Sequence, residues 1–247
     1  MRRRDVFGVM ASLVALATGL SAQTAYRLKG VSRTSAGVVA ATINAEAITG
    51  FRGDQFTGQK NFTVESNEKG EWTLLGLTAG VWMFTATAPG MLPAVHVLPV
   101  KFAQRQMQSA QGGQLTWSLP QWLIPAEEFP SLAGAAPLVA EGRAVEALQF
   151  LSPALADDAT PALKCAAGQV ALAIKQPAVA QQLFAGLQKT DPKNGCGPMG
   201  LASVALLIND WDTASKMLWS AREMVHRDQR TALASAITEL QQVSALK

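Results

Sequence analysis

Residues 26–119 alternate apolar and polar positions in short runs separated by Gly, Pro and Asn, the two-residue period of half-buried strands. The run Val81–Thr87 is the clearest. Trp82, Phe84 and Ala86 fall on one side, and Met83, Thr85 and Thr87 on the other. The same reading predicts strands at Tyr26–Val31, Val38–Ala45, Asn61–Ser66, Trp72–Leu77, Val81–Ala88, Ala94–Val100 and Leu115–Leu119. About seven short strands in under 100 residues predict an antiparallel β-sandwich.

The period changes near residue 138. Ala, Leu and Gln now recur at helical spacing, with Ala180, Phe184 and Leu187 on one face. These residues return 34 positions later as Ala214, Leu218 and Ala221, and Gly168 and Ala171 return as Ala202 and Ala205. A 34-residue helix-turn-helix period predicts stacked helical hairpins. Two units cover 161–194 and 195–228, and a last helix over 229–245 turns Leu233, Ile237 and Leu240 inward. An earlier unit ends at Ala147, Leu151 and Ala154, offset by 33 and interrupted by Pro137 and Pro153. Between the two regions Pro120, Pro125, Pro130 and Pro137 oppose both ladder and helix. The expected organisation is multidomain β + α: residues 1–25 a signal peptide, 26–119 the sandwich, 120–137 a Pro-rich linker, and 138–247 an α-helical solenoid.

Both halves resemble known families. Gly168 at a close helix contact, Ala180 at the helix crossing, Phe184 as apolar plug and Pro192 closing the unit resemble a tetratricopeptide repeat, with His226 where the second unit has no proline. In the strand region, Asn67-Glu68-Lys69-Gly70-Glu71-Trp72, Gly76-Leu77, Gly80-Val81-Trp82 and Ala88-Pro89-Gly90-Met91 resemble the carboxypeptidase regulatory-like domain, a transthyretin-like or carbohydrate-binding-like sandwich. Asn67 replaces the commoner aspartate of that pattern and Met91 its tyrosine. The first resemblance implies partner binding by stacked helices. The second implies a sandwich that accompanies metallocarboxypeptidase catalytic domains, none of which is present.

The N-terminus alters the charge argument. Arg2, Arg3 and Arg4 precede an apolar run from Val6 to Leu20 and small residues at Ser21 and Ala22, the order of a secretory signal peptide. The run is shorter than the roughly 20 residues of a membrane span. Arg3-Arg4-Asp5-Val6-Phe7 also resembles the twin-arginine export motif. Removing residues 1–25 takes away three arginines and one aspartate and lowers the net charge from +3 to +1. Nothing basic then remains to attract nucleic acid, and no transmembrane anchor is expected after cleavage. The expected location is periplasmic or secreted. There a pair of cysteines is free to bridge. Cys165 and Cys196 fall on equivalent helices of neighbouring units, a candidate disulfide if their Cα atoms come within roughly 7 Å.

Groups for catalysis are scarce. His96 and His226 lie in different halves, neither within a zinc-binding frame, and no nucleophile elbow or glycine-rich nucleotide loop occurs. Glu127-Glu128 and Asp157-Asp158 are adjacent pairs in polar segments, read as solvated. Arg52-Gly53-Asp54 is read as a loop coincidence, and Asn61-Phe62-Thr63 as a glycosylation sequon. The chain is therefore read as a non-catalytic exported adaptor without cofactor or metal. Its helical array would bind a protein or peptide along its concave face, with Trp211 and Trp219 as candidate contacts. The rival reading is a carbohydrate-binding envelope module, in which Trp72, Trp82 and Trp117 line one β face and stack a glycan. Burial of those rings decides between the two.

Overall fold

The computed structural model describes residues 26–49, 60–78, 80–100, 116–118, 121–225, 227 and 230–244. The expected signal peptide, Arg52-Gly53-Asp54 and His226 lie outside the described residues, as does the side chain of Trp117. The fold is mixed: strands occupy the first half and helices the second.

Four strands form an antiparallel sheet in the order β4-β3-β6-β8: β3 (Thr42–Thr49), β4 (Asn61–Glu65), β6 (Gly80–Thr87) and β8 (Ala94–Val100). A second sheet is built around β1 (Tyr26–Thr34). Its antiparallel neighbours are β2 (Gly37–Val38) and β5 (Glu71–Leu77), and its parallel ones are β9 (Thr116–Ser118) and β10 (Gln121–Trp122). The expected all-antiparallel arrangement is thus corrected: the later part of the strand region returns alongside β1 in the same direction. The expected strand Val38–Ala45 is also two strands. The chain passes from one sheet to the other at residues 39–41, where Ser66 Oγ accepts the Ala41 N–H at 2.8 Å.

The Pro-rich segment is not a free linker. Gln121–Trp122 joins β1, and Ile124–Pro125 (β11) pairs with β7 (Met91–Leu92). Leu132 and Ala135 are buried. Pro125 ends β11 and precedes a 3-10 turn (Ala126–Glu128), and Pro137 falls in the first turn of a helix over Ala135–Ala140, places where a missing N–H costs little.

Tight turns follow from local chemistry. Asn67 Oδ1 accepts from the N–H groups of Lys69 and Glu71, both at 2.9 Å, closing the β4–β5 turn. Gly70 takes φ +68°, and a Cβ there would strike the Ser32 carbonyl. Trp72, Leu74 and Leu77 from one sheet and Ile43, Trp82 and Phe84 from the other belong to one apolar core. Trp82 is wholly buried, and its indole N–H reaches the Thr78 carbonyl at 2.8 Å.

The second half begins with α1 (Ala135–Ala140), α2 (Ala144–Leu148) and a 3-10 segment over Gln149–Leu155. Then come α3 (Pro161–Ala173), α4 (Pro177–Thr190), α5 (Cys196–Leu207), α6 (Trp211–Ala221) and α7 (Arg230–Ser244). Thr160 caps α3 and Asp210 caps α6 through side-chain oxygens. The first helix of each hairpin ends in the same way. Gly142, Lys175 and Asn209 take φ of 72°, 57° and 61°, and each is followed by a residue whose N–H returns to a carbonyl five positions back. Leu233, Ile237 and Leu240 are buried on α7, as their spacing predicts.

Packing around Phe184 explains the glycines. A Cβ added at Gly168 of α3 would lie 2.5 Å from the Phe184 ring, and one at Gly200 of α5 would also strike it. The ring of α4 therefore fits between two helices that lack side chains where it touches them. Helix α5 carries no charged residue and buries Gly197, Gly200, Ala202, Ser203, Val204, Ala205 and Leu206, which fits a helix enclosed on every side. The enclosure includes the strand half, because α3, α5 and α7 all lie against β8.

Candidate functional site

The strand β8 ends its sheet, and in an antiparallel ladder alternate residues turn both backbone groups away from the partner strand. Val95 is one such residue. Its N–H leaves the ladder and meets Gln169 Oε1 of α3 at 2.8 Å. Four positions on and in the same phase stands Pro99, which has no N–H to leave unpaired. Helix α3 is thereby fixed to the sheet edge. A further link runs from Lys175, just past α3, to Glu46 on β3 at 2.6 Å.

Where the helices leave that edge, a cavity of about 380 Å³ opens. The wall on the strand side carries Val95, His96, Trp122 and Ile124. The helical wall is made of two stripes at helical spacing: Cys165 and Gln169 on α3, and Cys196, Met199 and Ser203 on α5. Met224 and Val225, just beyond α6, close one side. Arg33 on β1 lies over the Trp122 ring, 5.3 Å from its centre, and holds that ring as part of the wall.

Cys165 and Cys196 form a disulfide with Cα atoms 6.0 Å apart. The candidate bridge from the repeat alignment is thus present, and it lies in the cavity wall between α3 and α5. It leaves no free thiol among the described residues. Ser203 Oγ donates to the Met199 carbonyl at 3.1 Å, a bond within its own helix. At the start of α5, Asn194 Oδ1 accepts the Cys196 N–H and its backbone carbonyl accepts that of Gly197. The lining contains no Asp, Glu, Lys or Arg. The arrangement offers apolar surface, two adaptable methionines and a few oriented polar groups, which is the chemistry of holding a ligand. Among the described residues, no three His, Cys, Asp or Glu side chains gather where they could hold a metal ion.

A second cavity of about 420 Å³ lies between the β3–β6 surface and α1, lined by Asn44, Thr63, Thr85 and Lys175 among others. The Lys175–Glu46 pair spans it.

The tryptophans named from the sequence separate. Trp72 and Trp82 are core residues, 3% and 0% exposed, so the proposed aromatic row on a β face is corrected: these rings fill the interior. Trp211 is also buried, at 8%, which removes it from any contact surface. Trp219 is 59% exposed on α6 with Arg222 over its ring. Neither Trp211 nor Trp219 lines the cavity. The concave-face expectation is corrected as well, because the side of the array formed by α3, α5 and α7 is covered by β8 of the same chain.

Sequence reasoning missed Gln169. No local signal marks Gln169, whose partner lies 74 residues away.

No family model and no curated protein matches the chain. Among solved structures the chain is similar to the crystal structure of PcrH in complex with the chaperone binding region of PopD, with a TM-score of 0.40 and 18% identity over 50% of this chain and 96% of that one. No described helix is long and apolar enough to cross a membrane.

Proposed function

We propose that this chain is an exported, non-catalytic adaptor of the cell envelope whose binding site is the cavity between its strand and helical halves. On this reading a carboxypeptidase regulatory-like sandwich and a short tetratricopeptide-like array form one body. The sandwich fills the side of the array that would otherwise receive a partner. The protein or peptide partner instead inserts an apolar group at the seam.

One observation carries the reading: a largely apolar cavity without Asp, Glu, Lys or Arg, with Trp122, Met199 and Met224 in its walls, lies beside a helical array whose inner side is occupied. Aromatic and methionine side chains are favoured where partners anchor. The glycan alternative loses its support with the burial of Trp72 and Trp82.

Position-resolved photocrosslinking in the producing cell tests this. A photoreactive residue at Met224, on the cavity rim, should trap one polypeptide that a residue at Trp219 does not. Filling the cavity with Ser203→Phe should abolish the adduct. Trapping from Trp219 alone would move the interface to the outer face of α6 and defeat the seam reading.

A further inference from the structure

The cavity's polar groups define what kind of partner segment it takes. Gln169 Oε1 is committed to the Val95 N–H, so the orientation of its amide is fixed, and the remaining Nε2 is a donor that the strand does not use. Because Val95 turns its N–H away from β6, its carbonyl points outward too. A donor and an acceptor thus stand side by side at the edge of β8, in the pattern that an open strand offers to another chain.

Charge is excluded from the guest on two grounds. No Asp, Glu, Lys or Arg lines the cavity to pair with one, and its histidine, His96, is already engaged by another group of the chain. The first N–H groups of α5, which would hold an anion, are taken: Cys196 and Gly197 donate to Asn194, Pro198 has none, and Met199 donates to the Gly195 carbonyl. A volume of about 380 Å³ lies at the small end of ligand cavities, roughly 300–1,000 Å³. That suits one large side chain better than an extended ligand.

We infer that the seam cavity reads an uncharged, extended stretch of a partner polypeptide, with one apolar side chain in the pocket and one backbone amide paired to Gln169 Nε2 and the Val95 carbonyl. This rests on the seam being the binding site, and it adds how the guest is recognised.

The test titrates mature, full-length protein with N-acetyl-phenylalanine amide, N-acetyl-phenylalanine carboxylate and ethylbenzene, following the Trp122 indole N–H by NMR. The neutral amide should shift that resonance and bind more tightly than the other two. Gln169→Glu keeps an oxygen for the Val95 N–H and replaces the spare donor with an acceptor. It should weaken the amide probe about tenfold, the weight of one hydrogen bond, and leave ethylbenzene unchanged. Gln169→Met removes both ends of the amide, and a preserved indole spectrum in either variant establishes that the fold is intact. If the amide binds no better than ethylbenzene, or Gln169→Glu leaves its affinity unchanged, the backbone reading is overturned. Crosslinking from Met224 would then still stand for the seam itself. If the rim traps nothing and no probe shifts Trp122, both readings fall.

Discussion

The second and third helical hairpins meet the same packing demand with different volumes. In α3/α4 a phenylalanine, Phe184, stands against Gly168, and the next hairpin clears more room for it with Gly200. In α5/α6 the equivalent positions, 34 residues on, are Leu218 and Ala202, both buried. A smaller plug faces a larger floor, as close packing requires of a repeated joint. The first hairpin deviates further. Phe150 stands against Gly134, but it follows the hairpin's Gly142 by eight residues, where Phe184 follows Lys175 by nine. From Gln149 the chain winds on as a 3-10 helix with Pro153 inside it, so the α-helical second arm of the later hairpins is here only Ala144–Leu148. Helical hairpins can therefore share a contact after losing strict sequence register.

Phe184→Ala should produce the largest effect, because a wholly buried ring between two glycines leaves a void that neither helix can refill. A loss of about 3–5 kcal/mol in denaturant unfolding is expected. A loss below about 1 kcal/mol would mean that the joint collapses and that the volumes are not matched.

Next is the disulfide, which ties the second hairpin to the third. The first hairpin has Ser131 at the position equivalent to Cys165 and so lacks a corresponding tie. The bridge spans 31 residues, and loop closure alone predicts that Cys165→Ala/Cys196→Ala lowers stability by about 3–4 kcal/mol. Unfolding curves that coincide with and without reductant would remove that contribution.

The smallest contrast concerns the ends of the first helices. Gly142→Ala places a Cβ in the left-handed region and should cost about 1–2 kcal/mol. Lys175 already bears that strain, so Lys175→Ala should lose only its exposed pair with Glu46, at most about 1 kcal/mol and less in high salt. Equal costs at the two sites would show that the helix ends are not equivalent.

These contrasts also mark what the sequence could reveal. Hairpin boundaries, the inward face of α7 and the cysteine pair were legible because a 34-residue period compares each position with a known neighbour. Strands such as β5, β6 and β8 were legible from alternation. The Pro-rich strands were not, since two residues of pairing leave no period to detect. The cavity was least legible. It gathers residues 94–96, 122–124, 165–169, 194–203 and 224–225, and only the packing of β8 against α3 and α5 makes them neighbours. The burial of Trp211 was hidden for a related reason: a tryptophan beginning a helix looks alike in sequence whether it faces solvent or its own chain.

The central place of β1 has a kinetic consequence. The strand nearest the start of the described fold completes its sheet only with β9 and β10, some 90 residues further along, whereas each helical hairpin closes within about 30. Pairing over such separations is slow, and local helical contacts are fast. During folding the hairpins would form while β1 still lacks its parallel neighbours, so α7, which packs on β9 as well as on β8, would wait for its full seat. The rate at which β1 captures β9 and β10 thus sets when the last helix finishes docking on the strand half.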